Sequence, residues 1–153
     1  MHNHAPKNYH CPICLGLQGI ENDLTLIKQS DFIYKGKYVS ALVNSFYVKN
    51  NKGHSIVVPN NHYEMIFDIP SEVLNEITQT AKKIAYAFKN ILKCTGVTLL
   101  QNNEPDGGQH AFHFHLHVFP RYKDDNLHAN MLRKKLLDPK ERQTFAERLK
   151  RAL

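Results

Sequence analysis

Histidine recurs at every second position in the segment 109–121, which reads QHAFHFHLHVFPR. The residues are His113, His115 and His117, and apolar residues alternate with them. This alternation predicts a β-strand that carries the three imidazoles on one face and apolar core side chains on the other. Because a row of imidazoles packs no better than valine would, the histidine face indicates chemistry rather than a core.

The spacing limits what the three imidazoles can do together. Two histidines at positions i and i+2 can share one metal ion, but a third lies about 13 Å along the strand and cannot reach the same ion. An imidazole has an ordinary pKa of about 6.5, so a neutral ring nitrogen is free to act as a nucleophile, an acid or base, or a phosphate ligand. The pattern therefore favours covalent or acid–base catalysis, and a cupin-like metal enzyme is an alternative.

The same segment resembles the histidine-triad (HIT) family of nucleotide hydrolases and transferases. The family motif is His-x-His-x-His followed by two apolar residues, and residues 113–119 meet every position of it. The likeness extends back through residues 53–59 and 41–44 and covers most of the chain, from Cys11 onward. The loop at residues 45–52 is two residues longer than the usual family loop.

The resemblance assigns roles around the triad. His115 would attack an α-phosphate to form a nucleotidyl-imidazole intermediate, which a neutral imidazole can do without a base. His117 would bind the phosphate and assist the leaving group. Gln109 and Asn102 match positions whose amide donors hold phosphate oxygens, and Asn44 matches a ribose-binding residue. Transferase and phosphorylase relatives commonly carry glutamine at the third triad position, so His117 favours hydrolysis.

A Cys-x-x-Cys pair stands at positions 11 and 14. Two thiolates at this spacing can bind one tetrahedral zinc ion, but no second pair follows, so the other ligands have to be histidines. A redox dithiol or two unrelated thiols are alternatives. Some bacterial HIT proteins and galactose-1-phosphate uridylyltransferases bind zinc with such a pair, a histidine after the strand-ending proline and the first triad histidine. The resemblance thus implies a structural zinc site, with His10 competing for one position; its ligands would be Cys11, Cys14, His62 and His113.

These residues need a framework, and the chain predicts an α+β fold. Apolar residues spaced by three or four predict one long helix, which begins near Val73 and ends before Gly96. Runs rich in β-branched and aromatic residues predict five strands, at residues 32–34, 38–43, 54–59, 97–101 and 111–119. This count matches the fold that the resemblance implies, a five-stranded antiparallel sheet that pairs with a second copy into a ten-stranded dimer sheet.

A second helix is predicted near the C-terminus. Asp138 is placed to cap its start, Pro139 suits the first turn, and Glu141 would complete a capping box. The buried stripe of this helix would be Phe145, Leu149 and Ala152.

Length and composition agree with a small globular enzyme. The 153 residues, 42% of them hydrophobic, predict a single domain with its core at about residues 9–122 and a basic helical tail at residues 123–153. No stretch approaches the roughly 18 apolar residues of a membrane span, and the N-terminus lacks the apolar run of a signal peptide. The three cysteines suit a reducing compartment. We therefore expect a cytoplasmic protein.

The net charge of +6 is concentrated in the tail. From Arg121 onward, ten basic residues, including all five arginines, stand against five acidic ones. A basic segment can bind nucleic acid, but these residues fall on a predicted amphipathic helix, whose solvated face is the usual explanation. Nucleic acid is therefore not an expected partner.

The combined prediction is a zinc-containing, homodimeric HIT hydrolase. It would release a nucleoside monophosphate, AMP first by the family's usual choice, from a nucleoside phosphoramidate or a dinucleoside polyphosphate. Two alternatives within the family stay open. One is a DNA-adenylate hydrolase that uses the basic tail, and the other is a non-catalytic nucleotide-binding adaptor.

Overall fold

The computed structural model describes residues 3–153 and is built around a five-stranded antiparallel sheet. The strands in chain order are β1 (Phe32–Lys35), β2 (Val39–Val43), β3 (Phe46–Tyr47), β4 (Ser55–Pro59), β5 (Gly96–Gln101), β6 (Leu116–Arg121) and β7 (Lys135–Leu136). The helices are α1 (Pro12–Leu17), α2 (Ser71–Ala87), α3 (Leu127–Asn130) and α4 (Pro139–Lys150). The main sheet has the order β1-β2-β4-β6-β5, and β3 pairs separately with β7. The predicted α+β fold is confirmed.

Both faces of the sheet are covered at its centre, where every residue of β2 and β4 is buried. Alternate side chains of a strand point to opposite faces. Ala41 and Val57 therefore face the core that α2 completes, and Leu42 and Ile56 face a second apolar cluster formed with the N-terminal segment. The second face is the one that carries the functional site.

Helix α2 follows the predicted amphipathic pattern, with buried side chains at Val73, Ile77, Ala81 and Ile84. Its end differs from the prediction. Residues 88–92 form one π-helical turn, and Lys93 adopts a left-handed conformation with φ of 54° that ends the helix. Gly96 is therefore not the stop signal; it is the first residue of β5.

Helix α4 begins as predicted, since the Asp138 carboxylate accepts a hydrogen bond from the backbone N–H of Lys140 over 2.9 Å. Glu141 does not complete a capping box and pairs instead with Lys52 over 2.6 Å. Ala152 lies beyond the helix and is exposed, so its place in the predicted buried stripe is wrong. The stripe consists of Arg142, Ala146 and Leu149, with Phe145 partly buried beside it.

Arg142 lies inside the protein although its type suggested a solvated position. Its Nε donates to the Asp31 carboxylate over 2.9 Å, and its other nitrogens donate to the carbonyl oxygens of Leu137 and Leu26. Loss of one partner from a buried ion pair costs roughly 3–5 kcal/mol because the other charge stays buried. The C-terminal helix is thus fastened to the sheet, and it does not present a uniform basic face to solvent.

The short β3–β7 pair fastens the rest of the C-terminal segment. Phe46 lies opposite Leu136, and Tyr47 lies opposite Lys135. This pairing brings residues 131–134 beside the loop that follows β2. None of the helices within residues 3–153 has the length and apolar character that crossing a bilayer requires. The formation of a dimer stays a prediction.

Candidate active site and metal centre

A cavity of about 590 Å³ opens over the sheet face that carries Leu42 and Ile56. The N-terminal segment contributes apolar side chains to one wall, and the C-terminal segment contributes Met131 and Lys134 to another. Four histidines line the cavity; they are His54, His110, His115 and His117. An apolar chamber with a small group of convergent polar side chains is the usual form of a small-molecule site.

The triad does not lie on one regular strand as predicted. Strand β6 begins at Leu116, so only His117 belongs to it. Leu116 is also the first residue of β6 that pairs with both neighbouring strands. Before it, the N–H of Phe114 donates outside the sheet to Tyr63 O over 2.6 Å. The segment before β6 therefore leaves the sheet, which turns His113 and His115 toward different surroundings.

His115 has one ring nitrogen committed and one free. Its Nδ1 lies 2.7 Å from the carbonyl oxygen of His113. A carbonyl oxygen can only accept, so Nδ1 carries the proton and Nε2 keeps its lone pair. Burial lowers the pKa of His115, which keeps the ring neutral at neutral pH. The structure thus presents an unprotonated imidazole nitrogen at the cavity.

His117 belongs to a chain of hydrogen-bonded side chains behind the cavity. Its Nδ1 lies 2.9 Å from Nε2 of His54, and Nδ1 of His54 lies 3.2 Å from the amide nitrogen of Asn44. The Asn44 amide nitrogen also donates to Phe46 O over 3.0 Å. When Asn44 donates to His54, the proton of His54 lies on Nε2 and is donated to His117, so His117 carries its own proton on Nε2.

The opposite arrangement uses the same atoms. His54 Nδ1 also lies 3.1 Å from Phe46 O, to which it can donate. His54 then accepts from His117, and Nε2 of His117 becomes an acceptor. The two arrangements carry the same number of protons and differ in which ring nitrogens hold them. Nε2 of His117 is therefore a hydrogen-bond donor in the first arrangement and an acceptor in the second.

Both imidazoles of this chain are held neutral. Burial lowers the pKa of His54 to about 3 and that of His117 well below the ordinary value of 6.5. For His117, the nearby His54, His115 and Lys134 lower the pKa further through charge repulsion. A neutral imidazole donates a hydrogen bond through its N–H and can accept a proton at its other nitrogen.

The three predicted amide residues lie in different environments. Asn44 and Asn102 line the cavity, and the Asn102 amide nitrogen also donates to Gly108 O over 3.3 Å. Gln109 is 3% exposed and does not line the cavity. Its oxygen accepts from Glu104 N, and its nitrogen donates to Glu64 O and Ala111 O. The predicted phosphate contact of the Gln109 side chain is thus replaced by bonds that brace the loop before the triad.

The four residues predicted as zinc ligands lie together at the N-terminal end of the site. The candidate donor atoms of Cys11, Cys14, His62 and His113 all lie within 4.8 Å of one another. Nδ1 of His113 is 3.5 Å from Cys11 Sγ and 3.4 Å from Cys14 Sγ, and Nδ1 of His62 is 3.3 Å from Cys14 Sγ. Around a tetrahedral zinc ion, a sulfur and a nitrogen ligand stand about 3.6 Å apart. The cluster therefore fits a metal site.

The chemistry of the cluster also fits a cation. His113 Nε2 donates to Pro59 O over 3.0 Å, which leaves Nδ1 unprotonated and directed at the two sulfurs. Burial and the neighbouring Cys11 raise the pKa of Cys14 to about 12, since two adjacent thiolates repel each other. A bound cation removes that repulsion. His10, the competing ligand, is exposed and lies outside the cluster.

The sequence did not indicate every residue of the site. His54 lies in the segment 53–59 that carries part of the family likeness, but the sequence assigned it no role. It immediately precedes β4, whose Ile56 pairs with His117 of β6, and this closeness is a signal that could have found it. His110 and Lys134 also line the cavity. No local sequence pattern pointed to Lys134, because only the pairing of β3 with β7 brings it to the cavity.

Comparison with known proteins decides the family. The HIT domain family model matches residues 26–124. The chain belongs to the HIT domain family. Protein hit of Bacillus subtilis is 31% identical over 114 residues, which amount to 74% of each chain. The adenylylsulfatase HINT3 of Arabidopsis thaliana is 35% identical over 81 residues, 51% of this chain and 40% of that protein.

Solved structures show the same HIT fold. A Zn-bound histidine triad family protein from Mycobacterium smegmatis superimposes with a TM-score of 0.73 and 24% sequence identity. The match covers 93% of this chain and 91% of that one.

Proposed function

We propose that this HIT protein is a nucleotide hydrolase that releases a nucleoside monophosphate, AMP in the first instance, through a covalent nucleotidyl-histidine intermediate. The observation that supports this most is the free Nε2 of His115 at the cavity, fixed by the bond from Nδ1 to His113 O. The activity that the HINT3 relative carries in its name, removal of an adenylyl group from sulfate, belongs to the same reaction class.

In the first step, Nε2 of His115 attacks the α-phosphorus of the substrate. A P–N bond forms as the bond from phosphorus to the leaving group breaks. His117, in its Nε2–H form, donates a hydrogen bond to the leaving group, which departs with the electron pair of the broken bond and takes its proton from solvent. His54 and Asn44 support that form through their own hydrogen bonds.

In the second step, water attacks the phosphorus of the intermediate and the P–N bond breaks. Nε2 of His117, in the arrangement in which it is an acceptor, takes the proton of the water and passes it to solvent. The electron pair of the P–N bond returns to His115, and the nucleoside monophosphate leaves. Both imidazoles end in their starting forms, so the cycle balances. Asn44 and Asn102 are the proposed substrate contacts at the cavity wall, and Gln109 positions the loop.

Zinc has a structural role in this proposal. Its ligands would be Cys11, Cys14, His62 and His113, and four protein ligands would leave no position for a reacting water. These residues would then be crosslinked through the bound ion, which would tie the N-terminal segment to the segment that carries His115.

The basic residues of the C-terminal part give little support to the DNA-adenylate alternative. Arg121 is bonded to Asp125 over 2.7 Å, Arg142 is buried against Asp31, and Arg148 donates to Ile91 O. These internal contacts use three of the five arginines that produced the excess charge.

Three substrates assayed side by side test the proposal: an adenosine phosphoramidate, diadenosine triphosphate and adenylated DNA. We expect AMP from at least one of the first two and slower release from adenylated DNA. The fastest release from adenylated DNA, retained at physiological salt, would favour the DNA-adenylate hydrolase instead. AMP that binds without turnover of any substrate would favour the nucleotide-binding adaptor.

The pH dependence of turnover follows from the neutral His54–His117 pair. Since burial holds the pKa of His117 well below 6.5, the ring stays unprotonated as pH falls through that value. Hydrolysis of diadenosine triphosphate is expected to stay within about twofold between about pH 7.5 and pH 5.5. This substrate has no terminal phosphate to titrate in that range. A loss of activity with a midpoint near about pH 6.5 would show that the pair is not desolvated as described.

A further inference from the structure

Lys134 is a cavity residue whose charge has no partner. It forms no ion pair or hydrogen bond within the part of the chain that the structure describes, residues 3–153. Its ammonium group lies 5.3 Å from the centre of the Phe46 ring, and Phe46 also lines the cavity. The β3–β7 pair thus places an unneutralised cation at the cavity wall.

Lys134 and His117 line the same cavity, and the backbone of Phe46, the residue whose ring Lys134 approaches, contacts His54 beside His117. Lys134 is among the groups whose charge lowers the pKa of His117, and no carboxylate is among them. Asp23 is the acidic side chain of the cavity wall, and it forms no ion pair with Lys134 in the described structure.

The side of the cavity next to the catalytic imidazoles is therefore electropositive beyond what the adenylyl phosphate requires. The adenosine part of a substrate is uncharged and suits the apolar wall near Ile13 and Ile27. The group beyond the α-phosphorus, next to His117, meets Lys134. Lys134 is exposed, so its ammonium group lies at the mouth of the cavity, where an unpaired cation raises the local concentration of anions.

We propose that Lys134 forms an anion subsite for the leaving group, so that the preferred substrates carry a phosphate or sulfate group on that side and not a neutral amine. This inference rests on the proposed hydrolase function. It names the class of leaving group, which the catalytic histidines alone do not distinguish.

Three phosphoramidates of AMP that share the same P–N bond test the subsite. Their leaving groups are ethanolamine, 2-aminoethyl phosphate and 2-aminoethyl sulfate, which differ in the terminal group. We expect the parent protein to hydrolyse both anionic amidates with a higher kcat/KM than the ethanolamine amidate. Lys134→Met is expected to reduce this preference about tenfold, the effect of one charge-assisted contact. High salt should reduce it in the parent protein.

Lys135→Met is the matched control. Lys135 is the next residue, is exposed and has the same charge, but it does not line the cavity, as expected for the opposite side of an extended segment. Its substitution should leave the preference unchanged. An equal loss of the preference for anionic amidates in both variants would show that net charge causes it, and would overturn the subsite. A preference for only one of the two anionic amidates would overturn charge as its basis.

Binding of the three amidates to the His115→Ala variant, with and without Lys134→Met, distinguishes a failure of this inference from a failure of the hydrolase proposal. If the parent hydrolyses all three amidates equally, the subsite is wrong and the hydrolase stands. If none is hydrolysed but the anionic amidates bind more tightly by calorimetry, and Lys134→Met removes the difference, the subsite stands and the hydrolase fails. Neither turnover nor a difference in binding would overturn both.

Discussion

Replacement of His115 by alanine is expected to reduce AMP release from an adenosine phosphoramidate by more than about 1,000-fold while AMP still binds. The substitution removes the attacking Nε2 and with it the covalent route. The apolar wall, Asn44 and Asn102 remain to hold the nucleotide. The measurements are kcat from steady-state kinetics and the Kd of AMP from calorimetry.

His128→Ala is the control for this prediction. His128 is an exposed histidine on α3 that does not line the cavity, and its loss should leave both kcat and Kd within about twofold of the parent. Turnover by the His115 variant within about tenfold of the parent would rule out His115 as the nucleophile. Nucleotide trapped on His117 would move that role to the next triad position.

Removal of the two thiols of the metal cluster has the second large expected effect. Purified protein should carry about one zinc per chain, as the tetrahedral ligand count requires. Cys11→Ala/Cys14→Ala should lose the metal and lower the free energy of unfolding by at least about 3 kcal/mol, since metal binding is linked to folding. Metal analysis and chemical denaturation measure the two quantities.

The same variant tests whether the ion takes part in the reaction. At temperatures where it stays folded, it should keep measurable activity, because His115 attacks without a metal-bound water. Some rate should be lost, since His113 holds the His115 ring through its carbonyl oxygen. An inactive folded variant whose rate returns with added zinc would make the metal catalytic.

Cys94→Ala is the matched control for the double variant. Cys94 is buried at 3% exposure in the main core and lies outside the metal cluster. Its substitution should cost stability through lost packing but leave the zinc content unchanged. Native protein without metal would show that positions 11 and 14 hold only a pair of thiols.

Local patterns predicted the parts of the fold that local physics determines. The spacing of apolar residues in α2 and the Asp138 cap of α4 are properties of neighbouring residues, and both predictions were confirmed. The end of α2 was wrong because Lys93 adopts the left-handed conformation that glycine usually supplies.

Contacts between distant segments account for most of what the sequence did not reveal. The alternation around His115 predicted a regular strand, but the strand begins only at Leu116, because the neighbouring strands stop pairing there. The sequence predicted Gln109 to be a phosphate ligand, but its side chain bonds to the backbone of Glu64 and Glu104. Arg142 is paired with Asp31, 111 positions away, and no local pattern shows that contact.

The stereochemical course at phosphorus tests the covalent mechanism most directly. A diadenosine triphosphate or phosphoramidate made chiral at the α-phosphorus with sulfur and oxygen isotopes is hydrolysed, and the configuration of the released nucleotide is determined. Attack by His115 followed by attack of water gives two inversions, so the account predicts retention of configuration. Net inversion would show that water attacks the substrate directly, and it would contradict the nucleotidyl-histidine intermediate.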